Sequence, residues 1–331
     1  MEIHNVESDV WSEWLLHNRH ADDPAYAQVV QAAVEGYADR VLEGAHLAAG
    51  MTLVDVDVGA GEGLVAFRAI DRIGPLLRVI LADLSAPMLR YAESVALQRN
   101  VRPQCTFHHC TADNIKGIAD ASVDVVATRA VLAYVADKKA ALGECFRILK
   151  LGGRLSIAEP ILQDEAFYAR ALRRRVEDQS QPADRFLTLL HRWKAAQFPD
   201  TEEACAGSPI ANYSERDLLN MVCGAGFAEI RLQLHIDVTP SLITSWEVFL
   251  GSSPHPWAPS LKQILDERFT ADERQFFEQT VRPTVESGKN VTTDRAIYLQ
   301  AQRPLCEPTT HRMPAAGLDV GLQSSLRRVR S

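Results

Sequence analysis

The run Val54-Asp55-Val56-Asp57-Val58-Gly59-Ala60-Gly61-Glu62-Gly63 carries the most pointed chemistry in this chain. A β-branched stretch ends on an acid, breaks into three alternating glycines and gives way to Leu64-Val65-Ala66-Phe67, which opens a helix. Glycine lacks a Cβ, so the backbone turns sharply there and approaches a ligand that other residues would hold off. The first N–H groups of the helix have no partners within it. A strand-to-helix turn of this kind makes a pocket for a nucleotide-like cofactor. Dinucleotide folds use Gly-x-Gly-x-x-Gly and rest a pyrophosphate on the helix N-terminus. Here the spacing is Gly59-x-Gly61-x-Gly63, and Glu62 sets a negative charge beside any pyrophosphate. A cofactor without phosphate fits better.

The elements that must position this loop follow in order. Leu77 to Ala82 reads as a second buried strand with Asp83 at its end, and Ser85 precedes a helix beginning Ala86-Pro87-Met88. Asp and Ser are favoured helix caps, so capping and ligand binding are both open to Asp83. Cys105 to Cys110 is a third strand, followed by Thr111-Ala112-Asp113-Asn114, and Asp120 to Arg129 contains a fourth. The helix expected over Asp137 to Leu149 has Leu142, Cys145, Phe146 and Leu149 on one stripe, the pattern of a helix packed on a sheet. Gly152-Gly153 then turns into a fifth strand ending at Glu159-Pro160.

The acid, one residue, then Gly-x-Gly-x-Gly at Asp57 to Gly63, with Asp83, the Asp120 to Arg129 strand and Gly152-Gly153 downstream, resembles the class I S-adenosylmethionine-dependent methyltransferases. The resemblance covers residues 51 to 160 and is to the small-molecule type, with a core like the ubiquinone/menaquinone C-methyltransferases. It implies an α/β fold: a Rossmann-like, seven-stranded, mostly parallel sheet with helices on both faces, an antiparallel last strand and helical cap insertions. The implied cofactor is S-adenosyl-L-methionine. The resemblance places it against Asp57, Gly59, Ala60, Gly61 and Gly63, with Asp83 accepting both ribose hydroxyls and Leu84 and Met88 flanking the adenine. Asp113, beside Ala112, is the implied acceptor from the adenine amino group, and Arg129 completes the set. The chain departs from the family pattern at Lys116-Gly117 and at Leu151.

With 331 residues, 47% of them hydrophobic and 24% charged, the chain can bury one large core and carry appendages. Its net charge of −8, without a basic stripe, disfavours nucleic acid as a substrate. A small molecule is the expected partner, with no membrane and with a homodimer as the alternative to a monomer. The N-terminus lacks the order of a signal peptide and no apolar run reaches a membrane span, so the expected location is the cytoplasm. The cysteines at 105, 110, 145, 205, 223 and 306 form no CxxC pair and read as reduced. His108-His109-Cys110 does not read as a metal site, because adjacent strand residues point to opposite faces.

Outside the core, residues 1 to 48 are expected to form an N-terminal helical lid, with Val30, Val34, Tyr37 and Val41 among its stripe and Trp11 and Trp14 before it. Residues 49 to 160 form the cofactor-binding core and 161 to 212 a helical cap insertion. Residues 213 to 303 complete the core around a second insertion at about 239 to 294, and 304 to 331 read as a flexible tail. Ser214 and Asp217, and Thr270 and Glu273, sit at capping-box spacing. Glu229 to Val238 alternates as a half-exposed sixth strand, and Arg295 to Ala301 is the last. Both insertions leave from strand ends on the ligand side of an open α/β sheet, so they should roof the site and leave a mostly enclosed pocket for a partly apolar substrate.

Methyl transfer from a sulfonium chiefly requires an acceptor held about 3 Å from the methyl carbon, and a base only where the nucleophile arrives protonated. Glu159 at the exit of strand five leads the catalytic candidates, with Tyr134 and His191; Arg129, His17 and His20 are further ones. The acceptor atom is O, C or N of a quinone-like or secondary metabolite. Transfer to a soft centre such as arsenite or a thiol is an alternative, weakened by the scattered cysteines. A nicotinamide oxidoreductase and a non-catalytic cofactor-binding protein are the other classes. Asp55 stands where the family carries an apolar residue. A second buried carboxylate there requires a partner, expected from the neighbouring helix or the N-terminal segment.

Overall fold

The computed structural model describes residues 8–56, 63–178 and 184–306. Seven strands form one sheet in the order β3-β2-β1-β4-β5-β7-β6: β1 (Thr52–Val56), β2 (Arg78–Asp83), β3 (Cys105–His109), β4 (Val123–Arg129), β5 (Leu149–Pro160), β6 (Ala228–Pro240) and β7 (Val291–Gln302). β1 to β5 run parallel, and β7 lies antiparallel between β5 and β6. This is the expected sheet. The central strands alternate between two buried layers, as side chains of a strand must. Val54 and Val56 face one apolar cluster and Leu53 faces the other.

On the Leu53 face lie α2 (Pro24–Ala45), α3 (Leu64–Ile73) and α4 (Ala86–Gln98); on the other lie α5 (Lys138–Ile148) and α9 (Glu215–Gly224). α2 combines two roles. Ala38, Val41, Leu42 and Ala45 pack on the sheet, while Tyr26, Val30, Val34 and Tyr37 line a cavity above it. Its close seat is visible at Gly44, where an added Cβ would stand 2.6 Å from the Gln300 side chain and 2.7 Å from Ser156 Oγ. The segment before it, α1 (Val10–Glu13) and a π-helical turn at Trp14–Asn18, rests on the second insertion: Trp14 Nε1 donates to Ser253 O (3.0 Å) and Ser253 N to Asn18 O (2.9 Å).

The first insertion forms α6 (Gln163–Glu177), α7 (Arg185–Gln197) and α8 (Glu202–Gly207); the second forms α10 (Trp246–Gly251), α11 (Leu261–Arg268) and α12 (Ala271–Glu286). They pack on each other as one cap with its own core, in which Leu189 of α7 meets Leu261, Ile264 and Phe277. The Trp193 ring stands 5.6 Å from Phe249 and 5.8 Å from Phe277, edge to face. Arg192 binds Glu273 (2.9 Å), and Gln197 Nε2 donates to Pro259 O (3.0 Å). Nothing in the sequence signals that the two insertions share a core.

Both capping boxes form, Ser214 with Asp217 and Thr270 with Glu273. β7 begins at Val291, four residues earlier than expected, and pairs with the outer half of β6 beyond the rest of the sheet. Its added residues, Val-Thr-Thr-Asp, show no alternation in burial from which a strand could be read.

Candidate active site

The site begins at the carboxyl ends of the parallel strands, where such sheets bind ligands. Of the glycine loop, Asp57, Gly59, Ala60 and Gly61 lie outside the described residues, as does the tail from 307. Gly63 is described. It is the N-cap of α3 with φ +77°, and a Cβ there would come within 2.8 Å of Phe67 and 2.9 Å of Leu81. Only glycine fits such a turn without displacing its neighbours.

Having no side chain, Gly63 cannot cap the helix that follows. Asp55, 3% exposed on the preceding strand, supplies the acceptor instead: Ala66 N donates to its Oδ2 at 3.0 Å. The expected partner of Asp55 is therefore the backbone of the neighbouring helix. A carboxylate at a helix start also meets the positive end of the helix dipole.

A small cavity of about 160 Å³ is lined by Asp83, Leu84, Ala112, Asp113, Cys110 and Trp11, with Val131 and Tyr134 opposite. Asp83 is 3% exposed, and its Oδ1 accepts from Ser85 N at 2.5 Å. Ser85, not Asp83, caps α4 by accepting from Met88 N (3.2 Å), and Asp83 stands in the cavity wall. Met88 itself is fully buried beneath the turn and is not part of the wall.

Ala112 and Asp113 are held from α5, an arrangement the sequence did not signal. Ile115 N donates to Glu144 (2.8 Å), and Arg147 donates to Ile115 O (3.0 Å) and Ile118 O (2.9 Å). The Arg147 guanidinium, with the Ile115 N–H, holds the Glu144 carboxyl below its ordinary range. Cys110, also in this wall, is pushed up to about 11 by burial and then by Asp83 and Glu144.

A larger cavity of about 1050 Å³ lies alongside, between the strand ends, α2 and the cap. Arg129, Tyr134 and Glu159 line it at the sheet; Tyr26, Phe186, Trp193 and Phe249 line it above. Tyr134 stands in the walls of both cavities.

Glu159 is 1% exposed, and backbone N–H groups surround it. Its Oε1 accepts from Val131 N and Leu132 N, both at 3.0 Å, and its Oε2 from Ala133 N at 3.1 Å. It thereby fixes the single turn of 3₁₀ helix, Leu132–Tyr134, that carries Tyr134. Behind that turn Lys138 donates to Val135 O (2.9 Å), Pro209 O (2.8 Å) and Asn212 Oδ1 (3.3 Å), and lies 4.7 Å over the Tyr213 ring. Burial pushes its ammonium down to about 8, against the upward pull of Glu159.

His191 belongs to neither wall. It turns into the cap and pairs with Asp200 at 2.8 Å. His17 pairs with Asp22 at 2.7 Å near the surface. Tyr37, which the sequence placed only in the lid's stripe, and Asp294, which it did not single out, hydrogen-bond to each other through hydroxyl and carboxylate in the wall of the larger cavity. Burial raises the Asp294 carboxyl above its ordinary value. Among the described residues no group of three His, Cys, Asp or Glu side chains is placed to hold a metal, and no helix is long and apolar enough to cross a membrane.

Residues 49–201 match the model of a methyltransferase domain. Over 102 residues the chain is 35% identical to tRNA 5-carboxymethoxyuridine methyltransferase of Escherichia coli K12, covering 31% of this chain and 38% of that protein. It is 32% identical over 104 residues to the ubiquinone/menaquinone biosynthesis C-methyltransferase UbiE of Xylella fastidiosa M23, covering 31% and 41%. The chain thus spans about two fifths of the curated relatives it matches. Among solved structures, the YcgJ protein of Bacillus subtilis shares the fold with TM-score 0.50 and 18% identity, over 81% of this chain and 98% of that one. Residues 49–201 are a class I S-adenosylmethionine-dependent methyltransferase domain, and S-adenosyl-L-methionine is the cofactor of that domain.

Proposed function

We propose that this chain is a methyltransferase acting on O, C or N of a small, partly apolar molecule, quinone-like or a secondary metabolite, bound in the larger cavity. The observation that carries the reading is Tyr134, which stands in the wall of the cofactor cavity and in that of the aromatic-lined cavity beside it. A group leaving the first enters the second at that point.

The cofactor fits the residues present: a buried carboxylate at the end of β2, a second acid at Asp113, and a turn at Gly63 that admits no Cβ. In this reading Asp83 holds the ribose hydroxyls, Asp113 the adenine amino group, and Leu84 and Ala112 the faces of the base. When bound, S-adenosyl-L-methionine supplies a methyl group on a positively charged sulfur. The chain's own work is to hold the acceptor in line and exclude water, so the aromatic wall of the larger cavity orients an apolar body. Glu159, its oxygens taken by the turn it fixes, positions Tyr134 and is not the proton acceptor. The Tyr37–Asp294 pair takes a proton from acceptors that arrive protonated. His191, held by Asp200, orders the cap.

Transfer to a soft centre has less support, because among the described residues Cys110 is the one thiol in the two cavity walls and burial keeps it protonated. The acidic net charge favours a small acceptor over tRNA. Calorimetric titration with S-adenosyl-L-methionine and with NADH tests the cofactor. Transfer of labelled methyl to hydroxylated quinones, phenols and total tRNA tests the acceptor. Binding of the first cofactor with label in a quinone or phenol is expected; label in tRNA alone would overturn the small-molecule reading, and binding without any transfer would favour a non-catalytic role.

A further inference from the structure

Trp11, Tyr134 and Trp257 form a closed aromatic set drawn from three parts of the chain: the N-terminal segment, the turn after β4 and the second insertion. Their ring centroids are 5.3 Å (Trp11–Tyr134), 5.7 Å (Tyr134–Trp257) and 5.8 Å (Trp11–Trp257) apart, at interplanar angles of 75°, 83° and 67°. Packing alone explains contact, but two features exceed it. Trp11 and Tyr134 both line the cofactor cavity, and Tyr134 also lines the acceptor cavity. Trp257 remains 45% exposed, so the set is not simply buried core.

A methyl group passing between the cavities leaves its sulfur at their junction, which is Tyr134. Trp11 and Tyr134 both line the cofactor cavity, and a cation seated there against a ring face is attracted by its π density, most strongly where water is excluded. The thioether left after transfer has no charge and gains no such attraction.

We propose that Trp11 and Tyr134, braced by Trp257, distinguish the charged sulfonium of S-adenosyl-L-methionine from the neutral sulfur of S-adenosylhomocysteine, favouring the loaded cofactor and release of the spent one. The proposal rests on the methyltransferase reading above and concerns ligand affinity, so it needs no acceptor. Asp83 and Asp113, by contrast, face parts that the two ligands share.

The test is calorimetric titration of the full chain with S-adenosyl-L-methionine and separately with S-adenosylhomocysteine, taking the ratio of the two dissociation constants. Tyr134→Leu and Trp11→Leu should each shift that ratio toward S-adenosylhomocysteine by about two- to thirtyfold, the span from an exposed to a desolvated cation–π contact. Tyr134→Phe and Trp11→Phe keep a ring and should hold the ratio near the parent value. Equal weakening of both ligands in the leucine variants would reduce the rings to packing and overturn the proposal, as would a phenylalanine variant that shifts like leucine. Asp83→Asn serves as the control and should weaken both ligands alike. A parent chain that bound neither ligand would overturn the methyltransferase reading itself, and the proposal with it.

Discussion

The Asp55 carboxylate accepts the backbone N–H of Ala66 across the glycine turn, at 3.0 Å. A strand residue thus caps the helix whose own N-cap, Gly63, has no side chain, and the two elements that bracket the loop are tied together. Asp55→Val should destabilise the chain by about 1–2 kcal/mol, the usual worth of a helix cap. Asp55→Asn retains an acceptor and should recover most of the loss. Urea unfolding of both variants checks this; equal losses would show that charge, not capping, matters.

Asp83→Asn keeps an acceptor for the Ser85 N–H but loses the charge facing the cavity. We expect binding of S-adenosyl-L-methionine to weaken about 10- to 100-fold, with little change in unfolding temperature. A variant that unfolded early while binding normally would return Asp83 to the role of a turn former.

Much of the sheet end of the site was legible because its devices are local. Gly63, the strand-final Asp83 and the stripe of α5 each fall within one element, and a periodicity or a spacing declares them. The larger cavity depends on meetings that no local pattern records. Trp193 finds Phe249 and Phe277 from another insertion, Tyr37 finds Asp294 across most of the chain, and Glu159 turns to three backbone N–H groups. For Glu159, position at a strand end suggested a base, whereas the neighbouring turn claimed its oxygens.

Glu159→Gln places an amide NH₂ in a nest of backbone donors. One buried N–H then lacks an acceptor, at a cost of about 1–3 kcal/mol. Stability and cofactor affinity should fall together while the pH at half-maximal turnover stays put. A shifted pH profile at full stability would instead mark Glu159 as a proton acceptor.

The buried ammonium of Lys138 makes stability depend on alkaline pH. Its folded value, about 8, lies below the ordinary 10.5. Between those limits the unfolded chain holds the proton and the folded chain does not, so stability should rise with pH across that window. Below it both states are charged and the cost of burial is present in full. Lys138→Met should remove the rise, which denaturant midpoints from pH 7.5 to 10.5 would reveal; parallel curves for the two proteins would count against it.

Asp294 should show itself only with acceptors that must lose a proton. Tyr37 bonds to it, Tyr298 and Asp237 lie nearby on the hairpin, and the adjacent Arg295 is engaged by Asp164 at 2.6 Å. Burial raises its carboxyl, so the acid limb of turnover should lie above the ordinary value of an aspartate. Asp294→Asn should abolish that limb and slow transfer to a phenol by about 10²- to 10⁴-fold, with cofactor affinity unchanged. Unaltered turnover would assign the proton to another group.

The shared core of the two insertions has a consequence for assembly in time. Leu189 must wait for Leu261 and Phe277 before it is buried, so a growing chain completes five parallel strands long before the cap closes on itself. A nascent chain at that point has the parallel strand ends without the roof above them, the condition in which unburied aromatic residues meet chaperones and one another.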